Sequence, residues 1–176
     1  PDVVWYEPDF TVEMPLQDGD GDGSKQVMPW SVAAIGGETS WTVSGNGSGV
    51  VDVDVYVVDT GVARADVDDP NDDLALTENI DFYGDEGGAA DPDGHGTHIA
   101  GIIGAIDDGD GTVGVAPGAR IHNMRVLGKD GTADMSVVLA AIEHITAAKK
   151  ANTARPIVVN LSLGEYVGSE AATALD

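Results

Sequence analysis

The sequence predicts an α/β fold in which a mostly parallel central sheet is flanked by helices. Three observations carry that expectation. A β-branched and aromatic run, DVDVYVVDT, has strand length and ends at Asp59. HGTHIAGIIGA, from His95, then places apolar residues at helical spacing with small residues between them. Finally ARIHNMRVL, MSVVLAAIEHITAAKKAN and IVVNLSL read in turn as strand, helix and strand. Strand, helix, strand, helix, strand in that order is a βαβ series, which closes into a parallel sheet with helices on its faces.

PDVVWYEPDFTVEM, residues 1–14, alternates apolar and polar residues like a single strand, and 15–26 reads as an acidic linker. Within that linker Asp18, Asp20, Asp22 and Gly23 sit at the offsets of an EF-hand calcium loop. Pro29 stands where the bidentate Glu is needed, so a solvated linker is the expected state. Residues 27–176 read as one globular part. SVAAIG (31–36) and the segment around Trp41 suggest a short helix and its exit, and SGNGSG a turn. After the strand ending at Asp59, the acidic stretch from Ala65 to Gly94 reads as surface loop with one short strand near Ile80 to Phe82. The 95–105 helix is expected to be buried on most sides. In the helix after GKDGTAD, Val138, Leu139, Ile142 and Ile145 form the expected buried stripe, with Asp134 as N-cap. IVVNLSL is a continuous apolar run fit for a strand covered on both faces.

Composition narrows the function. At 176 residues and 42% hydrophobic content the chain can build a core. Its 31 acidic against 8 basic residues, a formal charge of −23, exclude nucleic acid as a partner, because phosphates must be met by Lys and Arg. No run approaches the roughly 20 apolar residues of a membrane span. The absence of cysteine excludes a disulfide framework and thiolate metal sites. Charge of this size repels itself unless salt or cations screen it, which suggests adaptation to a saline medium.

The Asp-Thr-Gly that closes the first central strand, Asp59 to Gly61, occurs both in aspartic proteases and in subtilisin-like serine proteases. The first kind needs a second copy and an all-β chain, and this sequence has neither. It has instead DGHGTHIAG at the start of a helix. A serine hydroxyl needs a nearby base, and histidine titrates in the right range. A carboxylate on its Nδ1 fixes the tautomer and stabilises the imidazolium. Asp59, at the carboxyl end of a parallel strand, and His95, at a helix start between Gly94 and Gly96, suit those two roles. Taken alone, Asp59 would read as a strand-end residue closing a turn with Gly61. His98, His122 and His144 read as core or surface histidines, and a His95–His98 metal pair finds no third ligand at convincing spacing.

VYVVDTGV, DGHGTHIAG, VGVAPGARIHNMRVLGKDGTAD and VVNLSLG, in this order from Val50 to Gly164, resemble the subtilisin-like serine proteases, the subtilases or peptidase S8 family. The resemblance implies the family's three-layer fold, incomplete in this chain, and the reaction of a serine endopeptidase working through an Asp-His-Ser triad. It makes Asp59 the acid and His95 the base. It makes Gly131, Thr132 and Ala133 one backbone-pairing edge of the substrate cleft, and Ser162, Leu163 and Gly164 the opposite edge. Ser162 is not the nucleophile, and Met135 would cap a distal apolar subsite. Residues 1–14 resemble the tail of an inhibitory propeptide, with processing expected inside the 15–26 linker.

The family's nucleophile lies in a Gly-Thr-Ser-Met-Ala-x-Pro motif, preceded by an oxyanion-hole Asn, and neither motif occurs here. The chain is therefore expected to be a fragment, inactive by itself, of a secreted and hence extracellular enzyme. Its expected partners are polypeptide substrates, its own propeptide and the missing C-terminal half of the catalytic domain. No cofactor is required for the chemistry, and no metal ligand is assigned. Structural calcium is suggested only by the acidic loops at 18–22, 66–73 and 107–110. Two other readings stand beside the enzyme: a non-catalytic, subtilase-like peptide-binding pseudoprotease, and an acidic calcium-binding domain.

Overall fold

The computed structural model describes residues 26–37, 51–63, 73–109 and 111–164. The expected strand at 1–14, the EF-hand-like loop at 18–23, the segment around Trp41, the turn at 44–49 and nearly all of the acidic loop at 66–73 lie outside the described residues. The elements run α1 (Trp30–Ala34), β1 (Asp54–Asp59), β2 (Leu76–Asp81), α2 (His95–Gly104), β3 (Arg120–Arg125), α3 (Met135–Ala151) and β4 (Ile157–Leu161). The four strands form one sheet in the order β2-β3-β1-β4, and every pairing is parallel.

Alternation along β1 sorts the core into two layers, because successive side chains of a strand point to opposite faces. Val55 and Val57 pack with Ile121 of β3 and Ala100 of α2 on one face. Tyr56 and Val58 pack with Met124, Val126 and the Val138, Ala141 and Ile145 face of α3 on the other. The result is the three-layer α/β arrangement that the βαβ order predicts. β1, buried at every position, is one of its two inner strands. Each fully buried aliphatic side chain there contributes about 1.5–3 kcal/mol.

Several expectations need correction. The strand placed near Ile80 to Phe82 starts earlier, at Leu76, and ends at Asp81. Its apolar content is low because one of its faces carries polar partners. Glu78 lies 3.0 Å from both His122 Nδ1 and His144 Nε2, and His122 stacks on Tyr56. α2 buries a narrow stripe, Gly96, Ala100 and Gly104, and leaves Ile102 and His98 exposed. In α3 the buried stripe is Val138, Ala141 and Ile145, whereas Leu139 and Ile142 are 53% and 37% exposed. Asp134 occupies the N-cap position of α3 without a side-chain capping bond. Among the described residues β4 lies at one edge of the sheet, with Val158 54% and Leu161 46% exposed. No helix of the described residues is long and apolar enough to cross a membrane.

Candidate active site

The parallel strands end together, and the candidate residues gather beyond their carboxyl ends, where open α/β sheets place their sites. Asp59 is the last residue of β1 and is fully buried. Its carbonyl accepts from Val126 N at 2.8 Å and Leu127 N at 3.2 Å, so the end of β3 holds it in place. His95 is the first residue of α2. Its Nδ1 lies 2.8 Å from Asp59 Oδ1, and its side chain is 45% exposed. A carboxylate can only accept, so the hydrogen of this bond sits on Nδ1 and Nε2 is left as the acceptor.

Two glycines let the helix reach the strand. Gly94 has φ 102°, a left-handed conformation that turns the chain into α2. Gly96 packs so tightly that an added Cβ would overlap the Gly61 carbonyl oxygen and stand 3.1 Å from Asp59 Cβ. The DTG and HGTH motifs are thus in backbone contact, and the glycine of each is part of the reason.

The electrostatics of the pair are one-sided. Asp59 Oδ1 takes both the His95 bond and a 2.7 Å bond from Thr60 N, while Oδ2 is buried with no hydrogen-bond partner among the described residues. A buried carboxylate with so few donors gains most from a positive imidazole beside it. The hydrogen bond to Asp59 is the largest influence on His95 and raises its pKa above the ordinary histidine value. The Asp59 charge adds to this, burial opposes it, and Asp93 and Asp91 reinforce it.

His95 lines a cleft of about 800 Å³ together with Thr60, Asp93, Leu127, Asp134 and Met135. Gly131, Thr132 and Ala133 line the same cleft, as do Ser162, Leu163 and Gly164. His95, Met135 and both expected cleft edges therefore line one cleft, with Asp59 buried behind His95. Thr132 is held by its own loop, its N and Oγ1 bonding Asp130 Oδ1 at 3.1 and 2.8 Å. Ser162 Oγ accepts from Asn160 Nδ2 at 2.8 Å. Among the described residues no group of three or more His, Asp or Glu is placed to hold a metal ion.

Some participants were not singled out. Asp93 and Asp134 add negative charge to the cleft, and Asp91 organises the turn before α2. Burial works to raise the Asp91 carboxyl, but bonds from Thr97, Gly94 and Thr60 outweigh it and hold it below the usual carboxylate range. The signal was present as an Asx-rich DPDG immediately before a helix. Farther back, the fully buried Arg125 bonds both oxygens of Asp85 at 2.7 Å, and Asn123 Nδ2 donates to the Ala89 carbonyl at 2.8 Å. Both tie the loop that leads to Asp91 onto the sheet.

Comparisons with known proteins bear on the family. The model of the subtilase family matches residues 44–175. The chain is 31% identical over 163 residues to the M-protease of Shouchella clausii (strain KSM-K16), covering 93% of this chain and 39% of that protein. It is 33% identical over 181 residues to the extracellular serine proteinase of Thermus sp. (strain Rt41A), covering 100% of this chain and 38% of that protein. It is 30% identical over 171 residues to the minor extracellular protease Epr of Bacillus subtilis (strain 168), covering 93% of this chain and 24% of that protein. The chain thus spans less than half the length of these relatives.

Proposed function

The chain belongs to the subtilase family, and from that premise we propose that it supplies the acid, the base and part of the substrate cleft of a serine endopeptidase. The observation that carries this reading is the 2.8 Å bond between the half-exposed His95 and the buried Asp59 at the rim of the cleft. Asp59 holds His95 in the tautomer that leaves Nε2 able to take a proton, and it stabilises the imidazolium that results. His95 would then take the proton of a serine hydroxyl as that oxygen attacks a peptide carbonyl, and return it to the leaving amine.

The nucleophile and the oxyanion donor are not among these 176 residues, so the chemistry requires a further part of the protein to meet this cleft. Gly131 to Ala133 and Ser162 to Gly164 would pair with the backbone of an extended peptide, which favours polypeptides over small esters as natural substrates. Relatives bearing the word extracellular in their names support secretion. The family's propeptide arrangement supports residues 1–14 as an inhibitory tail and 15–26 as the processing linker. The pseudoprotease reading is less favoured, because a peptide-binding module has no need of a buried acid bonded to a histidine.

The test is covalent labelling. The protein expressed with its coding sequence continued past Asp176 should react with a fluorophosphonate probe, and His95→Ala or Asp59→Ala should abolish that reaction while the fold persists. A longer protein that stays unlabelled although folded and free of its propeptide would be a binding protein instead.

A further inference from the structure

Beyond the acid and the base, we propose that Asp91 is the positioning residue that holds them in register. This rests on the acid–base reading of Asp59 and His95. The two lie on separate elements, β1 and α2, and a bond of 2.8 Å between them survives only if the strand end and the helix start are held at a fixed offset. Asp91 spans that gap. Its Oδ1 accepts from Thr60 Oγ1 at 2.8 Å, Gly94 N at 2.8 Å and Asp93 N at 3.2 Å. Its Oδ2 accepts from Thr97 N at 2.8 Å and Thr97 Oγ1 at 2.5 Å. Thr60 follows Asp59 and Thr97 follows His95 by two, so one carboxylate grips the neighbours of both.

The two hydroxyls complete the lacing in opposite directions. Thr60 Oγ1, on the strand side, accepts from Gly96 N of the helix at 3.0 Å. Thr97 Oγ1, on the helix side, accepts from Ala63 N beyond the strand at 2.8 Å. A hydroxyl has one hydrogen to give, and an ionised carboxylate only accepts. Asp91 therefore claims both hydroxyl hydrogens and turns both oxygens toward the opposite backbone. An amide in its place would offer one acceptor and one donor and could satisfy only one of the two. Asp91 itself touches neither Asp59 nor His95, so its effect on the chemistry runs through their placement, where an error near 1 Å costs about 10²-fold in rate.

The experiment follows the His95 ring by nuclear magnetic resonance in the protein expressed with its coding sequence continued past Asp176, through its titration and the solvent protection of its Nδ1 hydrogen. Asp91→Asn, Thr97→Val, Thr97→Ser and Asp59→Asn are compared with the parent, each checked for an unchanged fold by circular dichroism. Thr97→Val is informative because, without altering any charge, it removes the helix-side hydroxyl that bonds Asp91 and accepts from Ala63 N, while the backbone bond from residue 97 and those from Thr60, Gly94 and Asp93 remain. It should lower the His95 titration toward the ordinary value of about 6.5 and speed exchange of the Nδ1 hydrogen, as should Asp91→Asn, while Thr97→Ser keeps the parent behaviour. If Asp91→Asn does not fold, the two Thr97 variants give the answer. Parent-like titration and protection in Thr97→Val, with Asp59→Asn lowering both, would overturn the positioning role alone. A parent-like Asp59→Asn would overturn the acid–base reading and the positioning role with it.

Discussion

Gly96 of α2 lies against the carbonyl of Gly61, with no room for a Cβ between them. The contact sets how closely His95 approaches Asp59. Gly96→Ala should therefore push the helix start away from the strand end and cost about 1–3 kcal/mol of stability, as overpacking typically does. Denaturant titration checks the loss. The pair itself should suffer too, read as a fall of the His95 titration. A fully stable Gly96→Ala chain with an unchanged His95 would show that the backbone contact does not set the distance.

The raised pKa of His95 gives stability a pH dependence with a definite sign. The folded state holds the proton more tightly than the unfolded chain does, so this contribution is fully present below the unfolded value of about 6.5. It is lost as pH rises through the higher folded value. Asp59→Asn should erase that part of the stability profile and leave the carboxylate-driven acid limb intact. Melting curves across neutral pH for the two proteins make the comparison. In an assembled enzyme the same shift predicts activity that climbs with pH through the His95 titration, since the protonated ring cannot act as a base.

In α3 the prediction contrasts two aliphatic side chains. Ile145 is buried against Tyr56, Val58 and Met124, so Ile145→Ala should cost about 2–5 kcal/mol. Leu139, 53% exposed, should cost within about 0.5 kcal/mol when truncated to alanine. Equal losses at the two positions, measured by urea unfolding, would mean that α3 packs on a different face.

That contrast also shows where the sequence is readable. Helical spacing identifies α3 and even Val138 and Ile145, but size misleads about the stripe between them. The position that faces the sheet is filled by Ala141, whose small side chain lets the helix lie close, while Leu139 and Ile142 point aside. β4 is a different case. A continuous apolar run implies cover on both faces, and the described residues supply only part of that cover. The pairing of Asp59 with His95 was legible because their motifs are local, one at a strand end and the other at a helix start. Asp91 was harder to see. Five hydrogen bonds from four residues reach it, and nothing in DPDG shows that Thr60, some thirty positions earlier, is one of them.

The Arg125–Asp85 pair offers a prediction about the loop that carries Asp91. Arg125 is fully buried at the end of β3 and bonds Asp85, the Gly88 carbonyl and the Leu127 carbonyl, with Tyr83 stacked 5.4 Å away. A lysine would keep the charge but lose the planar fork that meets two carboxylate oxygens at once. Arg125→Lys should therefore lower the melting temperature and loosen residues 85–91, seen as faster amide exchange there than in β1. Exchange that stays uniform would mean the loop is held by other contacts.

If each of the 8 basic residues neutralised one acidic residue, 23 of the 31 would still lack a partner, which is the formal charge of −23. The arginines within the described residues are already committed, Arg120 to Asp52 and Asp54 at 2.6 and 2.5 Å, Arg125 to Asp85 at 2.7 Å, and Arg155 to Asp54 at 3.6 Å. Screening the excess helps the folded state more than the expanded one, because folding brings the charges closer together. Raising NaCl from 0.1 M to 1 M shortens the Debye length from about 10 Å to about 3 Å, which leaves close pairs largely intact and removes repulsion across the surface. The melting temperature should rise over that range, and lowering the pH toward the carboxylate range at low salt should recover part of the same gain by removing charge directly. A melting temperature that falls with salt would mean that the exposed ion pairs, such as Arg120 with Asp52, outweigh the net repulsion. The acidic surface would then owe nothing to a saline medium.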